Sequence, residues 1–345
     1  MIPFRTRRAL GKLLVTLLIL LLIAAAVLLC WVLWLNRFVV YTRSGVRFDF
    51  DSSGEISGGM VAVPPTQGLD VDIYYNEGEN ILQPENTELT QLSGYYATGQ
   101  MLTENFAEVE AQIKALPAGT PVMLDVKNIR GSFYYSTNLG ATASSIDPAA
   151  MDRLISYLRQ NDHYLIARLP AFRDFQYGLD HVDYGIFNPN RLSLWMDEDR
   201  CYWLNPGSEG TLDYLRLIAS ELKTLGFDEV LFQDFRFPDT DAIYVDGDRD
   251  AILKQAAQTL VTVCATDTFA VSFHGVSAQF PLPEGRSRLF LENVAAADAA
   301  NLALQTGLED APIRLVFLTD LLDTRFDNYG VLRPVKTAEQ IQPSE

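Results

Sequence analysis

The hydrophobic residues beyond residue 90 form short continuous runs that alternate with longer helical patterns. Within residues 208–225, leucine, isoleucine and alanine recur every three or four positions, and Gly226 follows where a helix would end. The next run, residues 229–235, is short and mostly apolar. It ends in charged residues, Asp234 and then Arg236. Such a run is typical of a buried strand that emerges from a parallel sheet. Together the two segments predict one helix–strand unit of an α/β protein.

The same alternation recurs along the chain and predicts seven strands, most of them separated by helices. Asp147 and Pro148 mark the start of one helix, as its N-cap and its first helical residue. The predicted strands are residues 92–97, 121–126, 164–169, 230–234, 269–273, 289–294 and 313–318. Strands and helices that alternate over about 250 residues are typical of a TIM (β/α)8 barrel. We expect this fold, with the eighth strand supplied by residues 329–335 or replaced by an irregular segment.

An apolar segment at residues 13–35 is long enough to cross a bilayer as one helix. Residues 1–12 carry basic side chains and no acidic one, so the positive-inside tendency places them in the cytoplasm. A cleaved secretory signal is the alternative, but the apolar run continues past the small residues at 24–26, which favours an uncleaved signal-anchor. We therefore predict a single-pass protein of the cell membrane whose C-terminal domain lies outside.

These patterns divide the sequence into five predicted regions. Residues 36–90 contain short β-like runs separated by Gly, Pro, Ser and acidic residues, which indicates an extracytoplasmic stalk with a small β-element. The regions are a cytoplasmic basic tail at 1–12, a transmembrane helix at 13–35, the stalk at 36–90, a barrel domain at 91–335 and a C-terminal tail at 336–345.

Charge and cysteine content exclude several classes of function. The chain has 27 basic and 44 acidic side chains and a net charge of −17. Such a chain repels nucleic acid, and no basic stripe offsets this, so we expect no nucleic-acid partner. The three cysteines are too few for a disulfide framework or a metal knuckle, and outside the apolar segment only Cys201 and Cys264 could form a bridge.

Two patterns that suggest metal binding are weak. Three aspartates alternate within residues 246–250 as in a calcium loop, but Ala251 lies where the turn needs glycine and Ala257 where the bidentate glutamate belongs. Helix capping explains these aspartates better. The three histidines are not paired at the spacing of zinc ligands. We expect neither a metal nor a cofactor.

Charged and polar residues follow several predicted strands, whose carboxyl ends would converge on one face of a barrel. A salt bridge or a loop cap is the alternative role for each of them taken singly. The candidate catalytic residues are Asp125, Asp234 and Glu292. The candidate substrate contacts on these segments are Lys127, Arg168, Asp174, Gln233, Arg236 and His274, with Ser272 also expected at this face.

The connection at residues 171–205 is too long for a routine turn and contains eight aromatic residues. Long loops over a barrel mouth commonly carry function, and aromatic rings suit the apolar faces of sugars. The alternative is that the rings pack into a small core of their own. We expect most of them to be core, and Trp195 and Trp203 to contact a ligand.

Five segments together resemble a family of bacterial extracytoplasmic domains described as glycoside-hydrolase-like TIM barrels. The segments are GYYATG at 94–99, MLDVKNIRGSFYYS at 123–136, LIARLPAFRDF at 165–175, WLNPGSEGTLDYLRLIASELKTLGFDEVLFQDFRFP at 203–238 and VSFHG at 271–275. They cover most of residues 92–275. The resemblance implies a barrel that acts on or binds a cell-wall or surface glycan.

The sequence departs from this family pattern where an acid is expected. The family's fourth strand resembles FDYVRFP, with an inward aspartate three residues before the arginine, and Gln233 occupies that position here. Ser272 likewise stands where the fifth strand tends to carry an aspartate. Glycoside hydrolysis needs two carboxyl groups, and an amide cannot exchange the proton.

Two hypotheses follow from these departures. In the first, a one-residue bulge turns Asp234 inward as the acid/base partner of Asp125 or Glu292, with Lys127, Arg168 and Arg236 orienting the carboxylates. In the second, the barrel is catalytically inactive and serves as a module that binds a glycan or a partner protein.

Overall fold

The computed structural model describes residues 39–42, 45–48, 88–275, 280 and 282–335. The chain divides into two compact units, Met1–Asn80 and Ile81–Glu345. In the first unit, strands β1 (Val39–Thr42) and β2 (Gly45–Phe48) pair antiparallel. The predicted membrane segment at 13–35 lies outside the described residues. Among those described, no helix has the length and apolar character needed to span a bilayer.

Eight parallel strands close into a barrel in the second unit, which confirms the expected barrel fold. The strands are β3 (Ser93–Ala97), β4 (Val122–Asp125), β5 (Leu165–Pro170), β6 (Glu229–Gln233), β7 (Ala270–His274), β8 (Leu289–Glu292), β9 (Leu315–Leu318) and β10 (Gly330–Pro334). Strand β10 pairs in parallel with both β9 and β3. The eighth strand is therefore regular and falls within residues 329–335.

Helices surround the barrel, and two of the termini that the sequence indicates are found at Asp147 and Gly226. The helices are α1 (Gly99–Glu104), α2 (Phe106–Lys114), α3 (Pro148–Gln160), α4 (Phe175–Asp180), α5 (Glu209–Leu225), α6 (Arg249–Cys264), α7 (Ala299–Thr306) and α8 (Ala311–Arg314). Asp147 caps α3 by accepting the Ala149 N–H, and Gly226 ends α5 at a φ of 94°. Asp248 caps α6, which confirms helix capping for one aspartate of the acidic run.

Side chains alternate along each strand, so the barrel interior is filled by every second residue. Its middle is apolar and is formed by Leu92, Met123, Ile166, Leu231, Phe290, Val316, Leu318 and Leu332. The intervening residues, such as Leu124 and Val230, face outward and pack in the larger core that includes α2, α3, α5 and α6. Polar residues are consequently confined to the two ends of the barrel interior.

A buried ion pair closes the amino end of the barrel. Arg288 contacts the Glu229 carboxylate, and both side chains are almost completely buried. Tyr164 donates to Glu229 Oε2 at 2.9 Å, and Ser272 donates to its other oxygen. Ser272 was expected at the carboxyl end beside His274. Its side chain points into the same interior but lies two residues closer to the amino end, where its hydroxyl bonds to Glu229.

Replacement of Arg288 with Met is expected to lower the free energy of unfolding by about 3–5 kcal/mol, because it leaves the Glu229 charge buried without a cation. Urea unfolding followed by tryptophan fluorescence measures the change. The control is Arg216→Met, which removes an exposed pair with Asp213 and should cost less than about 1 kcal/mol. The double variant Glu229→Leu, Arg288→Met should regain part of the loss. Equal destabilisation in single and double variants would contradict the electrostatic explanation.

Candidate active site

A buried guanidinium joins two carboxylates at the carboxyl end of the barrel. Arg168 Nε lies 2.5 Å from Asp125 Oδ1, and its Nη1 lies 2.8 Å from Glu292 Oε1. Only 6% of Arg168 is exposed. Burial disfavours the charge, but Asp125 and then Glu292 outweigh that effect, so the pKa of Arg168 is raised above its usual value. The structure thus brings together three of the predicted site residues.

Local register explains why these groups meet. Asp125 and Arg168 are partners on the neighbouring strands β4 and β5, so their side chains project at the same level. A second donor comes from Gly99, whose N–H lies 2.5 Å from Asp125 Oδ2. Gly99 is the first residue of α1, and N–H groups at a helix start have no partner within the helix.

Gly99 and Tyr96 are site residues that the sequence reasoning did not single out. A Cβ at Gly99 would come within 2.6 Å of the Tyr134 hydroxyl, so glycine allows the close approach. Tyr96 faces inward from β3, and its ring centroid lies 5.7 Å from Arg168 Cζ. Burial raises the pKa of Tyr96, which keeps its hydroxyl protonated. Both residues belong to the segment GYYATG, so the motif itself was the available signal.

His274 faces Glu292 from β7. Its Nε2 lies 3.8 Å from Glu292 Oε2, which is too long for a hydrogen bond. This nitrogen is buried and has no hydrogen-bond partner among the described residues. Burial lowers the pKa of His274, and the opposing charges of Glu292 and Asp234 do not fully offset it. The imidazole is therefore expected to be neutral near pH 7.

Asp234 follows the end of β6 in the left-handed conformation, with a φ of 52°. Aspartate is one of the few non-glycine residues that adopt this conformation readily. Its carbonyl accepts the Arg236 N–H at 2.9 Å, and its Oδ2 lies 3.8 Å from Arg173 Nη1. Because it follows the carboxyl end of β6, Asp234 lies at the face where the barrel opens. Gln233 ends β6 half-buried.

Two predicted substrate contacts are buried away from solvent. Lys127 Nζ and Asp174 Oδ2 form an ion pair at 2.7 Å. The exposed fraction is 3% for Lys127 and 0% for Asp174. Asp174 also accepts the Tyr214 hydroxyl at 3.0 Å and the Tyr177 N–H at 2.8 Å, which ties α4 to α5. We therefore correct these assignments, because neither side chain is accessible to a substrate.

The connection between β5 and α5 (residues 171–208) is here termed the excursion, and its aromatic residues are largely packed. Tyr177 stacks on Tyr214 with centroids 3.7 Å apart. Trp203 is 3% exposed, and its Nε1 donates to Asp197 Oδ2 at 2.8 Å. Trp195 is half-buried against it, with centroids 6.4 Å apart. The buried Trp203 is thus not an open platform for a sugar, whereas Trp195 remains partly accessible.

Arg173 and Arg236 both lie against Trp203. Their Cζ atoms are 5.6 Å and 5.2 Å from its ring. Arg173 is also held by Asp197 and Asp199 at 2.8 Å and 2.6 Å. These carboxylates hold the pKa of Arg173 above its usual value despite partial burial. The pair of guanidinium groups forms the side of the mouth next to Asp234.

The two cysteines of the second unit are free thiols of raised pKa. Cys201 and Cys264 are free, and burial raises the pKa of Cys201 to about 12 and that of Cys264 to about 11. Within the part of the chain that the structure describes, no three His, Cys, Asp or Glu side chains are grouped to hold a metal ion.

A closed barrel of eight parallel strands, with charged side chains at the carboxyl ends of several of them, defines a TIM-barrel domain. The family model described as "Putative glycosyl hydrolase domain" matches residues 94–269, just over half of the chain. The chain belongs to this family. A comparison with curated proteins found no match.

Solved structures with similar folds include a hypothetical protein from Ruminiclostridium thermocellum, 21% identical, with a TM-score of 0.43; the match covers 52% of this chain and 96% of that one. An α-galactosidase from Thermus thermophilus is 12% identical, with a TM-score of 0.48, and the match covers 74% of this chain and 60% of that one. An exo-β-N-acetylglucosaminidase from Vibrio harveyi is 8% identical, with a TM-score of 0.48 and 67% and 42% coverage. The chain thus spans less than two thirds of either glycosidase.

We expect His274 to titrate below 6.5, its usual value, because burial penalises the imidazolium. Between the lowered pKa of the folded state and the ordinary pKa of the unfolded state, the unfolded chain binds more protons than the folded one. The free energy of unfolding therefore decreases as the pH falls through this window. NMR titration of the ring gives the pKa, and urea unfolding between about pH 7.5 and about pH 5.5 gives the linkage. His274→Gln should reduce the pH dependence. A ring that titrates above 6.5 would refute this assignment.

Proposed function

We propose that this domain is a glycoside hydrolase whose chemistry is carried by carboxylates at the barrel mouth. The supporting observation is that Asp125 and Glu292 meet at Arg168 from the ends of β4 and β8, while Asp234 follows the carboxyl end of β6 at the same face. Active sites of TIM barrels lie at this face, and glycosidases use a pair of carboxyl groups flanking the bond to be broken. Family membership supports the same reaction class.

The geometry favours Asp234 and Glu292 as the acid/base pair. Asp125 already accepts hydrogen bonds from Gly99 and from two nitrogens of Arg168, so it is best suited to orient that guanidinium. Glu292 keeps one oxygen, Oε2, without a close donor among the described residues, and 26% of its side chain is exposed. The Asp234 side chain is 19% exposed, and its carboxylate has a single, long contact, with Arg173, among the described residues.

The neutral His274, whose Nε2 lies 3.8 Å from Glu292 Oε2, has a role in proton exchange in the proposed mechanism. An imidazole without a hydrogen bond can accept a proton from a carboxyl group or return one to it. Protonated Asp234 would give its proton to the leaving oxygen as the glycosidic C–O bond breaks. Glu292, held by Arg168, would take a proton from the water that attacks the anomeric carbon. A binding module without catalysis is the second candidate, favoured by the amide at Gln233.

Hydrolysis is expected to be lost in Glu292→Gln and Asp234→Asn, with kcat lower by about 10²–10⁴-fold and binding little changed, because each change removes a proton-transfer group. The full-length chain in detergent is assayed for new reducing ends on peptidoglycan, chitin oligosaccharides, α- and β-glucans and glucuronate-containing polysaccharides. Asp213→Asn, on the exposed side of α5, is the matched control. Glycan binding without turnover, unaltered in both variants, would select the second candidate.

We also propose that the barrel lies outside the cytoplasmic membrane, anchored by residues 13–35. The basic residues before this apolar run and the absence of charge within it support that orientation.

Protease added to intact spheroplasts is therefore expected to digest the barrel and to leave a short N-terminal fragment. A cytoplasmic marker protein should stay intact in the same sample, which controls for lysis. Digestion that occurs only after the membrane is permeabilised would place the barrel inside the cell and exclude the proposed orientation.

A further inference from the structure

Arg236 differs from the other arginines at the mouth in how its charge is balanced. Arg168 is neutralised by carboxylates of β4 and β8, and Arg173 by those of the excursion. Among the residues that the structure describes, Arg236 forms no ion pair and no side-chain hydrogen bond. Its side chain lies against Trp203, with Cζ 5.2 Å from the centroid of the ring.

The position of Arg236 places this charge beside the proposed catalytic groups. Its main chain is tied to Asp234, whose carbonyl accepts the Arg236 N–H. Its positive charge is one of the effects that lower the pKa of His274. The guanidinium lies against the same Trp203 ring as Arg173, whose Nη1 is 3.8 Å from Asp234 Oδ2, so it belongs to the Asp234 side of the mouth.

Acidic side chains are abundant in this chain, yet none of those that the structure describes pairs with Arg236. The chain carries 44 acidic side chains against 27 basic ones. Arg236 is half-buried, and a guanidinium in that environment normally acquires a carboxylate or a carbonyl to satisfy its donors. Trp203 lies beside the group and forms a cation–π contact, but it accepts none of the N–H donors. Among the residues that the structure describes, no acceptor satisfies the donors of the planar fork, which leaves them available to a ligand.

We infer that Arg236 binds the carboxylate of an acidic sugar, so that the substrate is a glycan that contains uronic acid. This inference rests on the proposed function and names its substrate class. The guanidinium fork matches a carboxylate in a bidentate arrangement, which a neutral sugar cannot provide. The net charge of −17 repels densely sulfated chains, so a glycan with carboxylates on alternate sugars fits better.

Binding to matched polysaccharides tests this inference. Hyaluronan, unsulfated chondroitin and heparosan are each immobilised beside their carboxyl-reduced forms, in which only the acid is changed to an alcohol. The full-length chain in detergent is expected to bind at least one acidic form about tenfold more tightly than its reduced partner, as expected for a charge-assisted hydrogen-bonded pair. Arg236→Gln should abolish the preference, and Arg236→Lys should restore only part of it.

The matched control is Arg191→Gln, which removes another arginine that lies on an aromatic ring, Tyr244, at 3.5 Å. It should keep the preference for the acidic form. Equal binding of acidic and reduced forms, or a preference that survives Arg236→Gln, would overturn the inference while leaving the proposed function intact. Hydrolysis of only neutral glycans would do the same. If neither form of any pair binds and no glycan is cleaved, both proposals fail.

Discussion

The arrangement of the mouth depends on the burial of Arg168 inside the barrel. A charged guanidinium that is 6% exposed is costly to bury without carboxylate partners, and Arg168 pairs with one on the neighbouring strand β4 and another on β8. Because the two partners lie on different strands, one side chain fixes the relative position of both carboxylates. The Gly99 N–H then fixes the second oxygen of Asp125 and connects α1 to the same network.

Two polar layers with opposite roles are separated by the apolar middle of the barrel. At the amino end, Glu229, Arg288 and Ser272 are buried and bond to one another and to the half-buried Tyr164. At the carboxyl end, Glu292 and Asp234 keep part of their surface exposed and part of their hydrogen-bonding capacity unused. The first layer therefore contributes to folding, whereas the second has the incomplete satisfaction that a binding site needs.

The excursion supplies the other side of the mouth through its charges more than through its rings. Its aromatic residues are mostly covered, and the buried pair of Lys127 and Asp174 holds its first helix against α5. Trp203 acts as a support for Arg173 and Arg236, which lie on it within 6 Å. The aromatic content that suggested sugar stacking thus serves chiefly to build a rigid loop that positions two cations.

Strands and helix caps could be predicted from the sequence by itself, because they depend on residues that are close together in the chain. The family could be predicted as well, because its motifs are continuous segments. Strands buried on both faces appear as continuous apolar runs, and β5 and β6 lie within one residue of their predicted bounds. The cap at Asp147 and the stop at Gly226 follow from local hydrogen bonding and backbone conformation. Alternation likewise placed Asp125, Arg168 and Glu292 at the barrel mouth.

Only the tertiary structure decided which of these polar groups meet. Lys127 and Asp174 lie just beyond strand ends, where alternation no longer fixes direction, and the fold turned them into a buried pair. Ser272 has the inward orientation of His274 but a different depth, which only the partner strands define. Glu292 and Arg168 are 124 residues apart in the chain and meet because the barrel closes. The left-handed conformation of Asp234 occurs directly after the end of β6. These contacts depend on distance in space, which a linear pattern does not contain.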